Sequence, residues 1–188
     1  GGKKVVIEGA SNVSSDSTFT VNGGGFTSLG MFRVGTQFSG QSTLNILNGA
    51  TVVTPYTRLA DGFGSLSPDH RAIANVSGAG TTWNTGSLEI GRGGVATLNV
   101  TGGGSVASSD IVIGFSSPGN EPSTAVVSGP GSSLTSNALL YVGYGGNGTL
   151  TIDNGGQVYV GTELHVDARS AVNLNGGTIR FDTFTRYD

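Results

Sequence analysis

Two stretches of the chain decide the fold, because they are near copies of each other 52 residues apart (142 − 90). Residues 90–106 read IGRGGVATLNVTGGGSV, and residues 142–158 read VGYGGNGTLTIDNGGQV. A second kind of segment alternates with them: residues 76–83 read VSGAGTTW, and residues 127–134 read VSGPGSSL. Self-similarity at a fixed period indicates a repeat architecture in which each unit packs on its neighbours.

Both kinds of segment fit one common coil. The apolar residue before the glycine-rich turn recurs at intervals of 22–30 residues, at Val21, Ile46, Val76, Val100, Val127, Ile152 and Leu174. Apolar and polar residues alternate around these positions, which is the period-2 pattern of a β-strand. Such short strands are unstable alone, but strands wound into a coil pair in parallel with equivalents about 4.8 Å away. The sequence therefore predicts an all-β, single-stranded parallel β-solenoid (β-helix) of about seven coils.

The alternation also predicts which side chains point inward. Two residues before each turn position lie Phe19, Leu44, Ala74, Leu98, Ala125, Leu150 and Val172. After the turn come Phe26, Val52, Trp83, Val106, Leu134, Val158 and Ile179. A third strand contributes the pairs Leu88/Ile90, Ile111/Ile113, Leu140/Val142 and Leu164/Val166. We expect all of these side chains to be buried.

The 34 glycines fit this interpretation as turn residues, because glycine adopts a positive φ and allows close backbone approach. We predict a single domain over residues 1–188. Residues 18–179 form the repeat coils, residues 1–17 an N-terminal cap or assembly segment, and residues 180–188 a C-terminal tail strand. Two proline-containing segments, residues 62–71 and 115–123, are predicted to leave the coil as loops at one corner.

Composition excludes several classes of function. The net charge is −3 and the nine Lys and Arg residues are scattered, so no nucleic-acid partner is expected. The chain has no Cys, which excludes disulfides and thiolate metal sites. No run approaches the roughly 18 apolar residues needed to cross a bilayer, so we predict no membrane span within the chain.

Catalysis is not expected either, although many β-helices act on acidic polysaccharides. Such sites need clustered carboxylates, and the 12 acidic residues are mostly single residues in separate coils. Asp61 and Asp167 are assigned to turns, and His165 is expected to point outward. We therefore predict no catalytic residue, no metal site and no cofactor. A polysaccharide-active enzyme is kept as an alternative.

Surface binding has two candidate regions. Asp69, His70 and Arg71 lie together in the longer loop, where a solvated loop tip is the plain interpretation. Phe63, Phe115 and Tyr144 follow equivalent corners of three coils and form a candidate aromatic edge. Exposed aromatic rings are typical of sugar-binding surfaces, although corner packing explains the same residues.

A regular outward column lies between the inward positions: Thr20, Asn45, Asn75, Asn99, Val126, Thr151 and Asn173. Threonine and asparagine ladders hydrogen-bond along a solenoid, so a structural role is expected. A flat Thr/Asn array is also how solenoid ice-binding proteins order water. Ice binding is therefore a minor alternative, weakened by the breaks at Ile73, Val126 and Ala171.

The ends of the chain are candidate assembly surfaces, because the terminal coil of a parallel solenoid leaves strand edges unpaired. The N-terminal segment contains the apolar run Val5, Val6 and Ile7, and the C-terminal segment alternates polar residues with aromatic ones. We predict that the chain associates with itself, head to tail, through these residues and through Phe181, Phe184 and Tyr187. Such a contact does not close and would build an extracellular filament.

The unit GxGTLxIxNGGxV at residues 146–158, loosely repeated at 94–106, resembles the repeat of type V secretion and PEP-CTERM proteins of Gram-negative bacteria. The shorter units at 76–83 and 127–134 match the V-x-G-x-G-S-x-W/L half of that repeat. This resemblance implies an autotransporter passenger-like parallel β-helix exposed at the cell surface, often in adhesins. It leads us to expect a secreted, non-catalytic structural or adhesive module, with surface glycans or matrix as candidate partners.

Overall fold

The described part of the chain contains strands and turns but no helix, and its strands wind around one apolar core. The structure is a computed structural model that describes residues 3–14, 16–36, 40–62, 69–116 and 121–187. All pairs of neighbouring strands in its two sheets are parallel. Each full coil contributes one strand to each of three faces, so the β-solenoid predicted from the sequence is confirmed.

Face 1 is the seven-stranded sheet, and faces 2 and 3 are the two halves of the fourteen-stranded sheet. Face 1 comprises β3 (Thr18–Asn22), β6 (Gly40–Leu47), β9 (His70–Ser77), β11 (Val95–Thr101), β13 (Ser123–Ser128), β16 (Gly148–Asp153) and β19 (Ala171–Asn175). Face 2 comprises β1 (Lys4–Ile7), β4 (Gly25–Ser28), β7 (Thr51–Thr54), β14 (Ser133–Ser136), β17 (Gln157–Val160) and β20 (Thr178–Arg180). Face 3 comprises β2 (Ser11–Val13), β5 (Phe32–Thr36), β8 (Thr57–Asp61), β15 (Leu139–Tyr144), β18 (Glu163–Asp167) and β21 (Thr183–Tyr187). Two long strands, β10 (Thr82–Ile90) and β12 (Ser105–Phe115), bend from face 2 onto face 3.

The predicted register is confirmed on all three faces. On face 1, Val21 to Leu174 pair as one column of equivalent residues through seven strands. On face 2, Phe26 to Ile179 pair in the same way. Nearly all of these side chains are buried, including Trp83. The exceptions lie in the terminal coils, where Leu174 is 53% exposed because no further coil covers it.

Glycines hold the corner after face 3, where the chain reverses curvature. Gly91 and Gly114 follow the last inward residue of the third strand and have φ of 82° and 81°. Ala60 takes the equivalent place in β8 with φ of 53°, a conformation that costs more without glycine. The turn from face 1 to face 2 needs a glycine for another reason. A Cβ on Gly156 would lie 2.3 Å from the carbonyl oxygen of Val127 in the preceding coil.

The corner between faces 2 and 3 is filled by buried hydroxyl groups, which the apolar pattern did not predict. The hydroxyls of Thr54 and Thr57 lie 2.9 Å apart, and that of Thr57 is 3.1 Å from that of Thr85 in the next coil. The indole Nε1 of Trp83 donates to Thr54 Oγ1 at 3.2 Å. These bonds satisfy polar groups that would otherwise be costly to bury.

The outward column of face 1 is a hydrogen-bonded ladder. The side-chain amide of Asn75 donates to the Oδ1 of Asn45 at 2.8 Å, and that of Asn99 donates to the Oδ1 of Asn75 at 2.9 Å. Asn45 donates in turn to the hydroxyl of Thr20 at 3.3 Å. The structural role expected from the sequence is therefore confirmed for these residues, whose amide groups bind one another from coil to coil.

The strands at both described ends pair with the coil next to them. Strand β1 pairs with β4, and β2 pairs with β5, in the register of the later coils. At the other end β21 pairs with β18 inside the same chain, with Phe184 opposite Leu164. Tail residues 183–187 therefore continue the solenoid as one more strand on face 3.

We expect the inward register to dominate stability. Truncating Leu150, which is fully buried, to Ala should lower the free energy of unfolding by about 3 kcal/mol because it leaves a cavity between coils. Replacing its neighbour Thr149, whose side chain points outward, by Ala should cost less than about 1 kcal/mol. Urea unfolding followed by far-UV circular dichroism measures both. Equal costs for the two variants would contradict the register.

Candidate functional site

The aromatic edge predicted from the sequence is present for the two residues that the structure describes. Phe115 and Tyr144 are direct partners between β12 and β15, and their ring centroids lie 5.3 Å apart. Phe63 lies outside the described residues. The pair sits on face 3, just after the corner glycines, where Tyr144 is 51% exposed.

The second candidate region is not a solvated loop tip, and that expectation was wrong for His70. Strand β9 begins at His70, whose side chain is buried and whose Nδ1 has no hydrogen-bond partner among the described residues. Arg71, also in β9, points outward and forms a salt bridge with Glu121 at 2.7 Å. Only Asp69 is exposed ahead of the strand. These three residues therefore do not form one surface site.

Asp61 is likewise not a turn residue, which corrects a second expectation. It is the last residue of β8, and its side chain is 1% exposed. One carboxylate oxygen accepts a hydrogen bond from the Nε of Arg33 at 2.8 Å, and the Nη1 of Arg58 lies 3.5 Å from the same oxygen. The pairing of equivalent strands brings these groups together, because β5 and β8 are adjacent on face 3.

The charged contacts continue into the next coil and form what we call the ion-pair row: Arg33, Asp61, Arg58, Glu89 and Arg92. The Nε of Arg58 donates to Glu89 at 3.0 Å, and the Nη1 of Arg92 lies 2.9 Å from both oxygens of the same carboxylate. Glu89 is buried, so its charge depends on these two arginines. With three cations and two anions, the row has a net charge of +1.

Tyr56 contacts two members of the ion-pair row, Glu89 and Arg58. Its hydroxyl donates to Glu89, and the guanidinium of Arg58 lies 5.1 Å from the centre of its ring. Burial, together with the hydrogen bond to the Glu89 carboxylate, raises the pKa of Tyr56. Burial lowers the pKa of Arg58, but Tyr56, Asp61 and Glu89 outweigh it and raise that pKa. Both groups therefore keep their protons well above neutral pH.

Face 3 becomes aromatic where the ion-pair row ends. The guanidinium of Arg92 lies 4.8 Å from the ring centre of Phe115, and ring contacts continue from there through the next three strands of the face. We call these rings the aromatic strip: Phe115, Tyr144, Tyr141, His165 and Tyr187. Successive centroids are 5.3, 5.4, 4.8 and 4.2 Å apart, and the last pair is stacked at 20°.

Carboxylates border the C-terminal half of the aromatic strip. Glu163 lies 3.8 Å from the Nδ1 of His165, and Asp167 lies 3.6 Å from its Nε2. Burial raises the pKa of Tyr141, and the nearby charge of Glu163 raises it further. The strip therefore combines ring faces, phenol hydroxyls and carboxylate oxygens on one side of the solenoid.

Neither region has the features of a metal or membrane site. Over the ranges that the structure describes, no group of three or more His, Cys, Asp or Glu side chains is placed to hold a metal ion. The same ranges contain no helix that is long and apolar enough to span a bilayer.

Comparison with known proteins identified no relative. The chain matches no protein-family model, no curated protein and no solved structure. The resemblance to the type V secretion and PEP-CTERM repeat therefore depends on the motifs in the sequence alone.

Sequence reasoning missed most of face 3. Glu89 and Arg92 look like isolated charges in the sequence, Tyr141 was not selected, and Tyr187 was assigned only to the assembly surface. One signal was available: Glu89, Arg92 and Tyr141 each lie within two positions of a predicted inward residue of the third strand. Extending the predicted register by those positions would have aligned them.

The ion-pair row should contribute measurably to stability. Replacing Glu89 by Gln leaves Arg58 and Arg92 without their carboxylate, and we expect a loss of about 2–3 kcal/mol. The matched control is Glu121→Gln, which breaks an exposed pair and should cost about 0.5 kcal/mol or less. Chemical denaturation of the three proteins at the same salt concentration checks this. A Glu89→Gln protein as stable as the control would show that the row carries no net stabilisation.

Proposed function

We propose that this protein is a non-catalytic structural and adhesive module of a bacterial surface protein that is secreted to the cell exterior. The observation that supports this most is the stacking of equivalent residues from β1 to β21 around one closed core. Parallel hydrogen-bond ladders on three faces stiffen such a rod along its axis. A stiff rod suits a spacer that presents one of its faces away from an anchor.

The motifs support the location. The alternating units at residues 146–158 and 127–134 resemble the repeat of type V secretion and PEP-CTERM proteins, which implies a passenger-like region at the cell surface. The absence of Cys and the low content of charged residues are compatible with export but do not require it.

The engagement of the carboxylates favours a structural role over a polysaccharide-active enzyme. General acid–base cleavage of a glycosidic bond needs two carboxyl groups that face a substrate. Asp61 and Glu89 are buried and bound by arginines, and Glu121 pairs with Arg71. Asp110 accepts a hydrogen bond from the backbone N–H of Leu139 at 3.1 Å. Each of these four carboxylates is therefore engaged by a contact within the chain. Glu163 and Asp167 are about one-third exposed, and each lies within 4 Å of a different nitrogen of His165.

We therefore expect no turnover of polysaccharides. Pectin, alginate, glycosaminoglycan and β-glucan are incubated with the protein, and reducing ends and unsaturated products are measured against a heat-unfolded sample. Turnover above that background would contradict the proposal. Turnover that is lost in Asp69→Asn, at unchanged unfolding midpoint, would assign the exposed residue ahead of β9 to the reaction.

A second candidate function is assembly into an extracellular filament, and the exposed ends favour it. At the C-terminal end Leu174, Phe181 and Phe184 border a concave pocket of about 440 Å³. At the N-terminal end Val5 and Ile7 border a smaller pocket of about 230 Å³. The outer edges of both terminal coils have no strand partner among the described residues. Apolar surface beside an unpaired strand edge is the combination that accepts another strand.

If the ends associate, the mass of the particle should rise with protein concentration. We expect Phe184→Lys to keep the protein monomeric, because it places a charge on the exposed apolar end. Val53→Lys, which changes an exposed apolar residue on β7, away from both terminal strands of face 2, should leave assembly unchanged. Size-exclusion chromatography with light scattering, followed by negative-stain microscopy, provides the measurement. A wild-type monomer at millimolar concentration would exclude this function for the 188-residue chain.

A further inference from the structure

We propose that the aromatic strip on face 3 binds a neutral oligosaccharide whose chain runs along the axis of the solenoid. The inference rests on the proposed adhesive function and names the ligand class and the site. The strip extends over four consecutive strands of the face, β12, β15, β18 and β21. At about 4.8 Å for each step this gives a platform about 14 Å long.

The rings form a surface that stays open to a ligand. Tyr144 and Tyr187 are 51% and 56% exposed, whereas Phe115, Tyr141 and His165 are half-buried and support them from the strand surface. The rings do not form one straight column, because Tyr141 and Tyr144 both belong to β15 and Tyr187 pairs with Asp167 rather than with His165. Each of the four strands nevertheless carries at least one ring, and neighbouring strands lie about 4.8 Å apart, which is close to the length of one sugar residue. A linear glycan that crosses the four strands therefore passes a ring on each of them. Sugar rings pack their C–H groups on aromatic faces, which is the contact that the strip offers.

The polar groups around the rings match hydroxyl donors. Glu163 and Asp167 are each about one-third exposed beside His165, and their oxygens point along the same side of the face. Carboxylates accept strong hydrogen bonds from hydroxyl groups, so they provide the orienting contacts that a ring surface alone lacks.

The same carboxylates select the charge of the ligand. Arg92 contacts the ring of Phe115, but its charge is already bound by Glu89. Uronic-acid or sulfated glycans would bring further negative charge against Glu163 and Asp167. The local charge therefore favours neutral sugars and disfavours anionic ones.

A proline-rich peptide is the other ligand that packs on tyrosine rings. It fits this surface less well, because proline has no N–H group to donate to the carboxylates. The rings also contact one another directly along the strip, at centroid distances of 4.2–5.4 Å, which leaves no groove between them for a proline ring.

The test is isothermal titration calorimetry of the folded protein with cellohexaose, chitohexaose and mannohexaose, and with hexagalacturonate as the anionic probe. We expect at least one neutral hexasaccharide to bind, and the anionic one to bind about tenfold more weakly or not at all at low salt. Tyr144→Ala and Tyr187→Ala should each weaken binding by about tenfold. Tyr159→Ala is the matched control, since that tyrosine is 50% exposed on face 2, outside the strip.

Three results would overturn the proposal: no heat with any neutral probe, equal loss in Tyr159→Ala, or binding of a proline-rich decapeptide in place of the sugars. All variants are first shown to keep the wild-type urea midpoint.

Adhesion of protein-coated beads to bacterial and host cells distinguishes a failure of the aromatic strip as the binding site from a failure of the adhesive function. Beads that carry the Tyr144→Ala/Tyr187→Ala double variant and still adhere would leave the adhesive function standing and remove the strip as its site. A wild-type protein that binds the sugar but adheres to no cell would leave the aromatic strip standing as a sugar site and would contradict the adhesive function.

Discussion

Parallel pairing of equivalent residues is the constraint on which the rest of the structure depends. Once Val21 pairs with Ile46 and Ile46 with Val76, every other residue of the coil must also lie above its equivalent. Each column then has to suit its own repetition about every 4.8 Å. Apolar side chains stack into a core without difficulty. Polar side chains stabilise a column where they bind one another, as Asn45, Asn75 and Asn99 of face 1 do.

The same constraint explains why charge accumulates on face 3. Two residues about 30 positions apart in sequence, such as Arg58 and Glu89, become direct neighbours when their strands pair. Arg33 and Arg58 are also direct partners, and like charges so placed repel. The carboxylate of Asp61, which lies within 3.5 Å of both guanidinium groups, offsets that repulsion. The contacts cross from coil to coil and from ion pairs to rings without a gap, through Arg92 and Phe115. Single charged or aromatic residues that are far apart in the sequence therefore form one continuous line of contacts along the rod.

The pairing of equivalent residues also explains which parts of the structure could be predicted from the sequence and which could not. The inward columns were predictable, because alternation and glycine-rich turns specify them within each coil. The register of the N-terminal strands was not predicted, since Val5, Val6 and Ile7 form an unbroken apolar run with no alternation. The burial of His70 was missed because the preceding Pro and Ser residues extended the loop assignment past the start of β9. Asp61 was missed for a third reason: its partners become visible only when the register is carried past Ala60, which replaces the usual corner glycine.

The terminal strands lie on different faces, and this affects whether two copies of the chain can join end to end into a filament. Along its described residues the chain contributes seven strands to face 1 but eight to each of faces 2 and 3. If β1 of one copy docks on β20 of another, β2 meets β21, but β3 then lies two strand spacings from β19. The junction would lack one strand on face 1 and leave the backbone edges of β3 and β19 unpaired there. Unpaired buried backbone groups are costly, so a junction of two copies needs one additional strand to become continuous. The described strands therefore form a continuous rod within one chain, whereas between two copies they leave a gap of one strand on face 1.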